Sequence, residues 1–81
     1  MRQLITTANQ AGEILRGRRK ARRLSQHALA AKLGVSQARI SLLEEDPARL
    51  TLERLLALSN LLGLELVLQD KSEGPEPQAE W

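Results

Sequence analysis

The 81-residue sequence contains no cysteine, no phenylalanine, no tyrosine and only one histidine. Without cysteine it forms neither disulfide bonds nor thiolate metal sites, and a single histidine does not make a zinc site by itself. We therefore expect no metal and no cofactor. The sequence also has no glycine-rich phosphate loop and no pair of carboxylates converging on a cleft, so it does not predict an enzyme.

Long apolar runs are also missing. No stretch of about 18 apolar residues is present to span a membrane, and the N-terminus lacks the apolar segment of a secretory signal. Aromatic residues make up 1% of the chain and hydrophobic residues 42%. We therefore expect a core of leucine, isoleucine, valine and alanine, which is typical of packed helices, and a protein of the cell interior.

The two halves of the chain differ strongly in charge, although the net charge is only +2. Residues 1–43 carry nine basic residues and one acidic residue, a balance of +8, whereas residues 44–81 carry three basic and nine acidic residues, a balance of −6. The first half is thus suited to a polyanionic partner such as nucleic acid, and the second half is not.

Helix start and stop signals divide the chain into four short helices. Hydroxyl residues stand at four N-cap positions, Thr7, Ser25, Ser36 and Thr51, and the first of them forms a capping-box spacing with Gln10. The first helix is expected to run to about residue 22. Gly34 and Gly63 supply left-handed stops, and Pro47 closes the third helix.

The apolar spacing of the last two helices predicts which sides are buried. Ile40 and Leu43 form the buried side of the third helix, and the candidate apolar face of the fourth helix consists of Leu52, Leu55, Leu56 and Leu62. The chain is thus predicted to be mainly α, with four to five helices.

The segment "LELVLQ", residues 64–69, alternates apolar and polar residues, which indicates a β-strand. A lone strand has nothing to pair with, so we expect it to pair with its own copy in a dimer through Leu64, Leu66 and Leu68. The alternative is that residues 64–68 extend the fourth helix. Residues 70–81 hold two prolines and four acidic residues and are predicted to be a disordered acidic tail that ends in Trp81. The predicted organisation is therefore a helical domain, 1–63, a dimerisation strand, 64–69, and the tail, 70–81.

Two short helices joined by a glycine-containing turn describe a helix-turn-helix. The stretch "LSQHALAAKLGVSQARISLLE", residues 24–44, resembles the lambda-repressor-like helix-turn-helix proteins of the Xre class, and the resemblance covers roughly residues 10–64. It implies a structural ion pair between Arg19 and Glu44, and it places Gln26 and Ser36 against DNA. Arg23 departs from the pattern, because relatives often have Gly or Asn there. Either Arg23 is strained or the first helix ends differently.

The outer face of the third helix is the candidate base-reading surface. Four of its residues point away from Ile40 and Leu43, namely Gln37, Ala38, Ser41 and Leu42. Glutamine pairs with adenine through two hydrogen bonds, and alanine or leucine contacts a thymine methyl group in the major groove. Arg39 contacts either a base or a phosphate. The remaining expected phosphate contacts are basic residues of the first two helices: Arg16, Arg18, Lys20, Arg22, Arg23 and Lys32.

Within the Xre class the chain resembles the HipB-type antitoxins. The resemblance rests on "SQARIS", on "DPARLTLERL", on the strand "LGLELVL" and on the final Glu80 and Trp81. It implies a cytoplasmic, nucleoid-associated bacterial homodimer that binds double-stranded operator DNA, represses its own toxin–antitoxin operon and binds a HipA-like serine/threonine kinase toxin. Trp81 would anchor that partner. Whether the tail blocks the kinase or the DNA-bound dimer holds it in an unproductive arrangement is left open.

Two other functions compete with this one. The chain could be a free-standing Xre-class repressor without a toxin partner, in which case the terminal tryptophan has no role. It could also be a protein-interaction adaptor whose helix-turn-helix no longer binds DNA. Steep salt dependence of DNA affinity distinguishes the repressor from the adaptor.

Overall fold

The computed structural model describes residues 1–71, which form four α-helices and a short 3₁₀ turn. The helices are α1 (Ala8–Ala21), α2 (Gln26–Leu33), α3 (Gln37–Glu45) and α4 (Leu52–Leu61), and the turn is Pro47–Arg49. The predicted mainly helical fold is confirmed. None of the helices in the described part of the chain combines the length and the apolar character needed to cross a bilayer.

All four predicted N-caps are confirmed. The Thr7 hydroxyl accepts the Gln10 backbone N–H at 3.2 Å, and the Gln10 side chain accepts the Thr7 N–H at 3.2 Å, which completes the capping box. Ser25, Ser36 and Thr51 each accept the N–H three residues later, at 2.9, 3.1 and 3.0 Å. These local bonds satisfy N–H groups that have no partner inside the helix.

The end of α1 carries a residue in the left-handed conformation. The Leu24 N–H donates to the Arg19 carbonyl at 3.0 Å and the Arg23 N–H donates to the Lys20 carbonyl at 2.9 Å, the pattern of a Schellman motif. Arg23 has φ 59. Of the two possibilities that the sequence left open, the first is correct: α1 ends in the usual way, and Arg23 bears the strain of a conformation that favours glycine.

The end of α4 repeats the motif with glycine at the strained position. Gly63 has φ 74, and the Leu64 N–H donates to the Ser59 carbonyl at 2.8 Å. Arg18 of α1 covers this end, because its Nε donates to the carbonyl oxygen of Leu62 at 3.0 Å. The helix therefore stops at Leu61, and the suggestion that residues 64–68 extend it is wrong.

The core lies where α1, α2, α3 and α4 meet. Its buried residues are Leu15, Leu29, Ala30, Ile40, Leu58 and Leu62. Ile40 and Leu43 are 1% and 5% exposed, which confirms the predicted buried side of α3. The predicted face of α4 is partly wrong: Leu58 is buried, whereas Leu52 and Leu56 lie at the surface.

The 3₁₀ turn that follows α3 packs closely against α1. Gly12 is buried against the ring of Pro47, and a methyl group added at Gly12 would lie 2.9 Å from the Pro47 Cβ and closer still to its Cγ. Pro47 itself occupies the first position of the turn and is buried. Only glycine fits at this point of α1.

The β-strand predicted at residues 64–69 is absent from the described part of this single chain. Residues 64–71 have no regular secondary structure. A strand needs a hydrogen-bonded neighbour, and one copy of the chain does not supply it. The acidic tail and Trp81 lie outside the described residues from residue 72 onward, so the predictions for them stay predictions.

Candidate nucleic-acid interface

The first turn of α3 projects from the domain. Gln37, Ala38 and Arg39 are exposed, whereas Ile40 directly after them is almost completely buried. Two further predicted base-reading residues of α3, Ser41 and Leu42, are half-buried. Ser36 precedes the helix, and its hydroxyl oxygen accepts the Arg39 N–H at 3.1 Å while the hydroxyl hydrogen is still able to donate. The structure thus brings six of the seven predicted base-reading residues together on α3 and its N-cap.

A buried ion pair stands behind this turn. Arg19 of α1 donates two hydrogen bonds to the Glu44 carboxylate of α3, from Nε to Oε2 at 2.6 Å and from Nη2 to Oε1 at 3.1 Å. Its Nη1 also donates to the Leu24 carbonyl at 2.8 Å. Both side chains of the pair are 9% exposed. This two-bond geometry fixes α1 against the far end of α3.

The carboxyl group of Glu44 has a lowered pKa. Burial on its own raises this pKa, but the hydrogen bonds from Arg19 and Gln26, with the nearby positive charges of Arg19 and Arg16, outweigh the burial. Glu44 is therefore an anion at neutral pH. As an anion it only accepts hydrogen bonds, so the neighbouring Gln26 side chain must direct its NH₂ group toward it.

Gln26, the seventh predicted base-reading residue, connects the ion pair to the exposed turn of α3. Its Nε2 donates to Glu44 Oε1 at 2.9 Å, and its Oε1 accepts from Gln37 Nε2 at 2.7 Å. The sequence did not predict these contacts, because the bonded residues lie 18 and 11 positions apart. The first residues of α2 and α3 are thus held in register by their side chains.

The predicted phosphate-binding residues of α1 divide between two faces of the helix. Arg16 and Lys20 are one turn apart on α1, share one side and are exposed. Arg23 lies beyond the end of the helix and is also exposed. Arg18 and Arg22 share another side, which meets the end of α4: Arg18 bonds to Leu62, and both guanidinium groups lie beside Gly63. Lys32 is exposed near the end of α2.

An open groove of about 430 Å³ adjoins the exposed first turn of α3 and lies between α3 and the start of α4. Arg39, Arg49 and Arg54 line it together with one acidic residue, Glu53. Arg49 is also bonded to Asp46 at 3.1 Å in an exposed pair. Arg49 and Arg54 were not among the phosphate contacts predicted from the sequence, because the acidic balance of residues 44–81 hides them. Their position on either side of the Thr51 N-cap is the signal that could have revealed them.

Comparison with known proteins agrees with this geometry. Residues 15–69, more than half of the chain, match a family model, HTH_3, described as a helix-turn-helix. A comparison with curated proteins gave no match. The matched segment contains the ion pair, both interacting glutamines and the whole of α2, α3 and α4. The chain therefore belongs to this helix-turn-helix family of DNA-binding transcription regulators.

Proposed function

We propose that the chain is a homodimeric operator-binding repressor and the antitoxin of a type II toxin–antitoxin operon, with a HipA-like serine/threonine kinase as its partner. The observation that carries the operator-binding part is the exposed first turn of α3. Its three outward residues, Gln37, Ala38 and Arg39, stand above the buried Ile40, so a rigid core holds them at the surface. The dimer part is carried by the exposed apolar residues of the 64–68 segment, and the kinase part by the resemblance to HipB-type antitoxins.

The base-reading residues in this proposal are those of α3, its N-cap and the start of α2. Gln37 reads adenine, Ala38 and Leu42 contact thymine methyl groups, and Ser36 and Ser41 donate or accept single hydrogen bonds. Gln26 supports Gln37 and donates its second N–H to the DNA. Arg39 faces the groove beside α4, which favours a phosphate contact over a base contact.

The proposed phosphate contacts differ in how much we expect each of them to contribute to DNA affinity. Arg16, Lys20, Arg23 and Lys32 are exposed and form no ion pair among residues 1–71. We expect them to contribute most to affinity. Arg18 and Arg22 contribute less, because Arg18 is bonded to the end of α4 and Arg22 lies beside it. Arg54 is an added contact, since it lines the groove next to the α4 N-terminus.

The proposed dimer interface is built from residues 64–68. Leu66, Val67 and Leu68 are 41%, 67% and 97% exposed, an unusual state for three consecutive apolar residues. Exposed Leu4 and Ile5 belong to the N-terminal segment, which reaches the same end of the molecule because Arg2 Nη2 donates to Gln69 Oε1 at 2.6 Å. Pairing of the 64–68 segments from two copies would bury Leu66 and Leu68 beside Leu64, which already packs partly against the core. It would also give each segment hydrogen-bond partners along one edge.

The kinase partner rests on the resemblance to HipB-type antitoxins and on the tail that ends "AEW". Trp81 offers a large apolar surface to a pocket on the partner. The proposal assigns to Trp81 the role of anchor.

A pull-down from cells of the source organism tests the kinase partner. The full chain, a Trp81→Ala variant and a Gln78→Ala control are compared, and the captured proteins are identified by mass spectrometry. We expect a kinase with the full chain and the control and much less of it with Trp81→Ala. Equal capture by all three would remove the role of Trp81. Absence of any kinase, with operator binding intact, would favour the free-standing repressor, and absence of DNA binding would favour the adaptor.

A further inference from the structure

A continuous chain of side-chain hydrogen bonds runs from the buried ion pair to the outer face of α3. It passes from Arg19 to Glu44, from Glu44 to Gln26 and from Gln26 to Gln37, with donor–acceptor distances between 2.6 and 3.1 Å. We infer that Glu44, which lies behind the recognition turn, is a positioning residue that determines which edge Gln37 presents to a base pair. The inference rests on the DNA-reading part of the proposed function.

The direction of each bond follows from the chemistry of the first member. An ionised carboxylate has only acceptor atoms, so Gln26 must turn its NH₂ group toward Glu44. Its carbonyl oxygen then faces Gln37, at 2.7 Å from Nε2. Gln37 must in turn direct its NH₂ group inward to meet that oxygen. A single negative charge thereby fixes the orientation of two amides in sequence.

The outward edge of Gln37 follows from this orientation. One N–H of its NH₂ group is used by Gln26, and the other N–H and the carbonyl oxygen stay free for a base. One donor beside one acceptor is the pattern that matches the N7 acceptor and the N6 donor of adenine. Glu44 thus favours adenine at the base pair that Gln37 reads without touching DNA itself.

Replacement of Glu44 by glutamine reverses the donor and acceptor roles along this series of hydrogen bonds. In the Glu44→Gln variant the new amide keeps its oxygen at the Oε2 position, where the shorter bond from Arg19 Nε is made. Its NH₂ group then takes the Oε1 position, where it loses the bond from Arg19 Nη2 and faces Gln26 as a donor. Gln26 then turns its oxygen inward and its NH₂ group toward Gln37, and Gln37 accepts with its own oxygen. The Gln37 oxygen keeps one lone pair for the base, but the order of donor and acceptor along the outer edge is reversed. That edge no longer matches the N7 acceptor and the N6 donor of adenine, so the preference for adenine is lost. In Glu44→Asp the carboxylate and its acceptor character are retained.

The test is selection from a randomised double-stranded DNA library, with the wild-type chain and its variants. The base pair read by Gln37 is identified as the one whose preference disappears in Gln37→Ala. We expect Glu44→Gln to lower the adenine preference at that base pair by about tenfold, to leave the other positions unchanged, and to have no further effect in a Gln37→Ala background. Glu44→Asp should retain the preference, even if overall affinity falls.

A second variant removes the hydrogen bonds of Gln26 while it leaves the Arg19–Glu44 ion pair in place. Gln26→Met keeps the ion pair and the helix but removes both amide bonds, and it should lose the same preference at the same base pair. A wild-type chain that enriches no sequence would overturn DNA reading and this inference with it. If the wild type selects an adenine-containing site, and both Glu44→Gln and Gln26→Met retain its preference or weaken all positions equally, the inference alone is overturned.

Discussion

At the scale of single residues, Arg23 is the clearest example of a local rule that the chain breaks. It occupies the left-handed position that Gly63 occupies at the end of α4. A side chain in this conformation costs roughly 1–2 kcal/mol. Arg23 stands shortly before α2, and the contact that we propose between its charge and the DNA backbone explains an arginine at this position.

Replacement of Arg23 by glycine should stabilise the fold by about 1 kcal/mol, because it relieves the left-handed strain. The matched control is Arg22→Gly, which removes the same charge one residue earlier, where φ is −89. That control should give no gain. Chemical denaturation followed by far-UV circular dichroism measures both, and equal effects of the two substitutions would show that charge, not backbone conformation, is responsible.

Glu44 makes the stability of the fold depend on pH. Its pKa is lower in the folded chain than in the unfolded chain, so the unfolded state binds a proton more readily in acid. The stabilisation is fully present above the ordinary glutamate pKa and is lost as the pH falls through the lowered one. Glu44→Gln should cost about 2 kcal/mol at pH 7.

The difference in free energy of unfolding between wild type and Glu44→Gln should therefore shrink as the pH falls below about 4.3. Denaturation midpoints across an acid series measure it. Glu45→Gln is the control, because Glu45 is an exposed neighbour on the same helix. A wild-type to Glu44→Gln difference that stays constant down to the acid limit would contradict a lowered Glu44 pKa.

At the scale of the helices, the contact between α1 and the 3₁₀ turn distinguishes two glycines of the same helix. A methyl group at Gly12 collides with Pro47, whereas a methyl group at Gly17 meets no atom within 4 Å. Gly12→Ala should therefore destabilise the fold by about 1–3 kcal/mol. Gly17→Ala should stabilise it by about 1 kcal/mol through helix propensity. Thermal or chemical denaturation compares the two, and stabilisation by both would mean that the turn moves freely away from α1.

The elements also show which features the sequence predicts. The four N-caps and the glycine stops were predicted correctly because each depends on residues within a few positions. The buried face of α4 was predicted only in part, since a leucine-rich helix has more than one apolar stripe and packing against α1 and α2 selects among them. The contact of Gln26 with Glu44 was not predicted because it depends on how two helices cross. Arg49 and Arg54 were not predicted because the acidic balance of residues 44–81 hides them.

At the scale of the whole molecule, the proposed dimer is tested by two leucines of equal exposure. Leu66 is 41% exposed on the 64–68 segment, and Leu56 is 42% exposed on α4. Leu66→Lys should yield a monomer, because it places a charge in the paired strands, and Leu56→Lys should remain a dimer. Sedimentation at several concentrations gives the answer. The opposite result would place the interface on α4.

We propose that the exposed first turn of α3 reads the DNA sequence while the basic residues of α1 and α2 bind the DNA backbone. The most direct measurement is the affinity of wild type, Gln37→Ala and Lys32→Ala for the selected operator and for a scrambled duplex, over a range of salt concentrations. We expect the wild type to prefer the operator by about 10³-fold or more, with affinity falling steeply as salt rises. Gln37→Ala should lose much of that preference and keep the salt slope, whereas Lys32→Ala should weaken binding to both duplexes and reduce the slope by about one unit. Equal wild-type affinity for operator and scrambled DNA, or affinity that does not change with salt, would contradict the account.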